Sequence, residues 1–189
     1  MLALAPAGVL GREDQLWMNR LEAPMAFKIR RVGHLVLRVK DIERSKRFFQ
    51  DVLGFPVVAQ NDRGMVFFST DVKDNHHMLA LIPGKESANM PTPDQIGMEH
   101  VSFELGSFAE LQDAYRTFKE KDVKICHTVF HGISKSVYFN DPDGNMLEVY
   151  CNVPAEEYRK SVSNPYSRYG SIDEELEGKS PQREGTVAP

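Results

Sequence analysis

Only two cysteines and one tryptophan occur in these 189 residues. Cys126 and Cys151 are too few for a disulfide framework and have no zinc-site spacing, so a reducing cytoplasm is the expected setting. Long apolar runs are missing too: none approaches the roughly 18 residues of a membrane span. Met1 to Leu10 is apolar but has no basic flank and runs into Gly11-Arg12-Glu13-Asp14, so no signal peptide is expected. Positive charge is not in excess. Lys and Arg number 23 against 27 Asp and Glu, a net charge of −4. That balance argues against nucleic acid or an acidic membrane surface as partner. The rest is 41 % hydrophobic and 26 % charged, an ordinary globular composition long enough for one domain or two small units.

Two stretches share one plan. Gly33-His34-Leu35-Val36-Leu37-Arg38-Val39-Lys40 leads into a helix and then Leu53-Gly54-Phe55-Pro56-Val57-Val58. Glu99-His100-Val101-Ser102-Phe103-Glu104-Leu105 leads into a helix and then Lys121-Asp122-Val123-Lys124-Ile125. Asp41 is placed to cap the first helix, and Gly54 to stop it. Ser107-Phe108-Ala109-Glu110 opens the second as a capping box. Met90 to Gly97, with two prolines, reads as a linker.

Period-two alternation sorts the strand faces. Leu35, Leu37 and Val39 point toward a helix, as do Val101, Phe103 and Leu105. His34, Val36 and Arg38 point away, as do His100, Ser102 and Glu104. A sheet with polar groups on its second face curves around a cavity rather than closing a simple core. His77, Leu79 and Leu81 share a face in the run His76 to Ile82. Tyr138 lies with Ser136 and Asn140, and Glu148 with Met146 and Tyr150, flanking the turn Asp141-Pro142-Asp143-Gly144-Asn145. Cys126 and Cys151 alternate with these positions and read as core. The ends differ: Asp14 to Leu21 fits a short helix in a loose arm, Pro154 to Tyr166 a helix and loop, and Ile172 to Lys179 with Pro181 to Gly185 a solvated tail.

His34 and His100 start equivalent strands 66 residues apart, and Glu148 lies in the last strand of the second unit. Two imidazoles and a carboxylate form the facial triad of non-haem Fe(II) sites. The plainer alternative is that each is a packed or solvated side chain; the repeat favours ligands.

The chain resembles the vicinal oxygen chelate superfamily, which includes glyoxalases, methylmalonyl-CoA epimerases, antibiotic-resistance proteins and type I extradiol dioxygenases. The resemblance runs from Lys28 to Asn152, on the opening His-Leu-Val-Leu-Arg-Val-Lys-Asp-Ile-Glu-Arg-Ser and the closing Asp-Pro-Asp-Gly-Asn-Met-Leu-Glu-Val-Tyr. It implies His34, His100 and Glu148 as metal ligands. A fourth ligand position falls on Leu79, which cannot ligate, so a three-ligand site of extradiol type is implied. His76-His77-Met78-Leu79-Ala80-Leu81 is similar to the extradiol segment whose second His is the acid–base residue, a role that falls to His77. Phe130-His131-Gly132-Ile133-Ser134 resembles the loop whose His hydrogen-bonds substrate, and Tyr138 precedes Glu148 by ten residues, as the active-site Tyr does in that family. The seven-residue gap from His131 to Tyr138 is shorter than in the large two-domain members. His131, His77 and Tyr138 each keep a plainer reading, as a loop, capping and strand residue respectively. His127 matches no family position and reads as structural or peripheral.

The expectation is therefore an α+β fold of two paired βαβββ modules, forming a cupped mixed sheet around a metal site with helices on the outer face. Residues 1–28 would be an arm, 29–152 the domain (modules 29–88 and 97–152), and 153–189 an extension. The expected activity is extradiol cleavage of a small aromatic diol by dioxygen, with Fe(II) as cofactor and Mn(II) as the alternative. A cytoplasmic homo-oligomer is expected. The competing readings are a glyoxalase- or epimerase-type lyase or isomerase, which needs a fourth ligand, and a drug-sequestering module, which needs no triad.

Overall fold

A computed structural model describes residues 27, 29–90, 92, 96–161, 167 and 169–179, without the side chains of 159–161. The chain divides into two units, Met1–Val32 and Gly33–Pro189, and nearly all described residues belong to the second. The helix expected at 14–21, the loop at 162–166 and the tail at 181–185 lie outside the described residues.

The second unit is α+β, two βαβββ modules. The first holds β1 (Leu35–Val39), α1 (Ile42–Asp51), β2 (Val57–Gln60), β3 (Val66–Phe68) and β4 (Leu79–Pro83). The second holds β5 (Val101–Leu105), α2 (Phe108–Glu120), β6 (Ile125–Phe130), β7 (Ser134–Asn140) and β8 (Met146–Asn152). Two short helices follow, α3 (Ala155–Ser161) and α4 (Asp173–Leu176). Each module makes a four-stranded mixed sheet, in the orders β1-β4-β3-β2 and β5-β8-β7-β6. In each, the first strand runs parallel to the last. The helix between the first two strands covers one face and buries Leu37, Val39 and Phe49, or Leu111, Tyr115 and Phe118.

Local chemistry sets these elements. Asp41 accepts from Arg44 N at 3.0 Å to cap α1, and Gly54 takes the left-handed φ of 70° just past its end. Ser107 accepts from Glu110 N at 3.2 Å, while Glu110 Oε2 reaches back to Gly106 N at 2.6 Å, a capping box displaced by one residue. Asp141 Oδ1 ties the β7–β8 turn by accepting from Asp143 N and Asn145 N.

The modules meet through their helix side. Phe48 packs 6.4 Å from Phe139, and Phe55 5.1 Å from Phe103, between ring centroids. The buried Asp143 accepts from Lys40 N at 2.8 Å and pairs with Arg44. The two sheets share no strand ladder among the described residues.

Three expectations need correction. Ile172 to Lys179 is docked rather than solvated: Ile172 is 2 % and Leu176 1 % exposed. Thr128 Oγ1 accepts from Ile172 N at 3.1 Å, and Lys135 pairs with Glu175. Lys179 and Lys119 hold the Glu177 carboxyl at about 2. Cys126 is exposed, because the β6–β7 ladder slips between Ile125 and His127 and leaves Cys126 unpaired; its thiol donates to Asn140 Oδ1 at 3.2 Å. Cys151 is buried as expected. The strand expected from His76 begins only at Leu79, so counting faces back to His77 in steps of two fails.

Candidate metal centre

Register builds the site on the second sheet. His127 pairs with Tyr138 across β6–β7, Tyr138 with Glu148 across β7–β8, and Glu148 with Ser102 across β8–β5. Directly opposed residues share a face, so these four side chains form one transverse row. His100 immediately precedes β5, and its Nε2 lies 3.3 Å from Glu148 Oε2. The Ser102 hydroxyl donates to the same carboxylate oxygen. Glu148 is only 6 % exposed. A carboxylate so deeply placed needs a partner or a cation. Its partners are an imidazole and a hydroxyl, and a buried carboxylate beside an imidazole is a donor set that suits a divalent metal.

Tyr138 is buried and held on several sides. His131 Nε2 and the Tyr138 hydroxyl share a 3.1 Å hydrogen bond. The His100 ring meets it edge-on at 5.3 Å, and His127 stacks on it at 4.4 Å and 19°. Of the two readings the sequence leaves for His127, structural or peripheral, the stacking on Tyr138 fits the structural one, and the unpaired Cys126 turns it there.

The first sheet carries a second cluster. The His77 ring lies 4.5 Å from His34, 4.5 Å from His76 and 5.3 Å from Phe67. Phe67 pairs with Ala80, which pairs with Val36. His77 thus reaches the face of Val36 and Ala80, not that of Leu79 and Leu81. Burial, then the neighbouring His34 and His76, lowers the His77 pKa below the ordinary 6.5. Leu79 pairs with Leu35 on the helix side and is 1 % exposed. The position matching Glu148 is Ala80, since Ala80 pairs with Val36 as Glu148 pairs with Ser102. Ala80 cannot ligate either, so the first module offers no side-chain ligand at that position.

The sequence-expected residues therefore fall into two groups. His100, Glu148, Tyr138 and His131 stand together on the second sheet, and His34 and His77 on the first. No three His, Cys, Asp or Glu side chains gather closely enough to hold a metal among the described residues. Nor is any described helix long and apolar enough to cross a membrane.

Comparison with known proteins agrees with this architecture. Biphenyl-2,3-diol 1,2-dioxygenase 3 of Rhodococcus globerulus is 35 % identical over 121 residues, 63 % of this chain and 62 % of the relative. The chain thus spans less than two thirds of that dioxygenase's length. Metallothiol transferase FosB of Staphylococcus haemolyticus is 28 % identical over 125 residues, 65 % of this chain and 84 % of the relative. A glyoxalase/dioxygenase crystal structure from Nostoc punctiforme shares the fold, with TM-score 0.57 and 24 % identity, covering 70 % of this chain and 98 % of that one. The family model described as Glyoxalase/Bleomycin resistance protein/Dioxygenase superfamily matches residues 31–149. The chain belongs to this superfamily of vicinal oxygen chelate proteins.

Proposed function

We propose that the chain is an Fe(II)-dependent extradiol dioxygenase that opens a catechol-type ring beside its two hydroxyl carbons. The Tyr138–His131 pair, one strand from Glu148, carries this reading, because it sets a phenol and an imidazole beside a buried carboxylate. His34, His100 and Glu148 would hold the metal, with Mn(II) as the alternative to Fe(II). When bound, the metal supplies the redox chemistry that couples a catechol to dioxygen. The Tyr138 hydroxyl, anchored by His131, hydrogen-bonds one catechol oxygen and steadies its ionised form. His77 takes the second phenolic proton on its ring and returns it as the ring opens. Val36, Phe67 and Met146 supply apolar wall for the aromatic guest. Both atoms of dioxygen end in the product.

In this reading residues 29–152 are the catalytic domain of a cytoplasmic enzyme, and the site is complete only between copies. His34 of one copy meets His100 and Glu148 of another, which explains why the helix sides pair within the chain while the polar faces stay open. Val36, on the polar face of β1, is 42 % exposed.

The likeness to a metallothiol transferase keeps a lyase- or transferase-type metal site as the second reading; Ala80 and Leu79 deny it a fourth side-chain ligand in the first module. The test is anaerobic reconstitution with Fe(II), addition of catechol, 3-methylcatechol or 2,3-dihydroxybiphenyl, and admission of air. Oxygen uptake with a yellow product is expected. Iron retained with no turnover on any of these diols would overturn the reading, and metal held by four protein ligands would favour the second.

A further inference from the structure

We infer that His127 is a positioning residue that fixes the Tyr138 ring, and through it the phenol hydroxyl, against the site. Three observations carry this. The first is contact. The His127 and Tyr138 rings are stacked, with centroids 4.4 Å apart and planes 19° from parallel, and stacked ring pairs favour particular relative geometries.

The second is how His127 comes to be there. The ladder pairs Ile125 with Phe139 and then His127 with Tyr138, so one extra residue, Cys126, is inserted into β6. Without the insertion, Cys126 would oppose Tyr138 and His127 would point with Val137 into the core. The bulge swings His127 onto the row of Tyr138, Glu148 and Ser102. The third is how the strand is held beyond the bulge. Thr128, the next residue, is 3 % exposed and accepts from Ile172 N at 3.1 Å. Its hydroxyl also lies 2.9 Å from both Asp173 Oδ1 and Ser171 Oγ. Phe130 N donates to Gly170 O at 2.9 Å, and Tyr169 N to Phe130 O at 2.8 Å. The C-terminal segment therefore clamps the open edge of β6 on both sides of Val129 and keeps the bulged register.

Tyr138 is thereby fixed at two points. His131 holds its hydroxyl, and His127 holds its ring plane. A phenol that could tilt would still bind substrate but would meet its oxygen in fewer productive poses.

The catalytic consequence rests on the ring-cleavage reading, so the test has an arm that does not. In metal-free protein with isotope-labelled tyrosine, the Tyr138 ring signals are assigned by their loss in Tyr138→Phe. His127→Leu, which keeps volume but removes the ring, should move the Tyr138 signals and speed ring flipping; His127→Phe should restore both. In iron-loaded enzyme, His127→Leu should lower kcat about tenfold with KM within about twofold. His127→Phe should recover most of that loss, with iron content and thermal midpoint unchanged throughout. Unmoved Tyr138 signals in His127→Leu would overturn the inference, as would a His127→Phe enzyme as slow as His127→Leu. If the wild type opens no catechol, the ring-cleavage reading fails while the tyrosine signals still decide the role of His127.

Discussion

Glu148 and His77 ask for opposite outcomes on mutation. Glu148 is a buried carboxylate whose partners are an imidazole and a hydroxyl, so Glu148→Ala should abolish metal retention, read as iron per chain after desalting. His77 sits in the other cluster and does not ligate in this account. His77→Ala should keep its iron and lose about a hundredfold or more in kcat; loss of iron instead would make His77 a ligand. His34, His100 and Glu148 stand out in the sequence because the two modules repeat and the flanking motifs are specific; the structure sets His100 beside Glu148 and His34 beside His77 on the other sheet. The face of His77 was not. Alternation gives faces only inside a strand, and β4 starts two residues later. His127 was hidden for a related reason, since one unpaired residue at Cys126 inverts every face after it.

Among the elements, the C-terminal segment shows the limit of composition. Ile172 and Leu176 are two apolar residues in an acidic stretch, too few to signal a packed helix. Their burial is decided by distant residues: Thr128 on β6, Gln112 and Lys119 on α2, and Lys135 on β7. Ile172→Ala or Leu176→Ala should each destabilise the protein by about 2–4 kcal/mol, read from urea unfolding. The helices were plain by contrast, because Asp41 and the Ser107–Glu110 pair are local caps whose partners lie within four residues. Asp143 is a tertiary device on a local turn. It accepts from Lys40 N and pairs with Arg44 across the module boundary. Asp143→Ala should cost about 2 kcal/mol, less than a fully buried pair because Arg44 is partly exposed.

In the whole molecule, two modules join by their helix sides and leave the proposed half-sites, His34 with His77 and His100 with Glu148, on separate sheets. The two-module plan was legible from the repeat, but whether the half-sites close within one chain was not, because no local pattern encodes it. Mixing inactive variants tests the assembly. His34→Ala and His100→Ala should each lack activity, yet a randomly exchanged mixture should regain about a quarter of the wild-type rate, since half the dimers are mixed and each holds one intact site. A mixture that stays inactive would place the site within one chain. Extradiol cleavage is put to the test by turnover of 3-methylcatechol under heavy-isotope dioxygen, with mass analysis of the product. The expected product is a ring opened beside the hydroxyl carbons and carrying both heavy oxygen atoms. Intact catechol recovered from iron-loaded enzyme would contradict it.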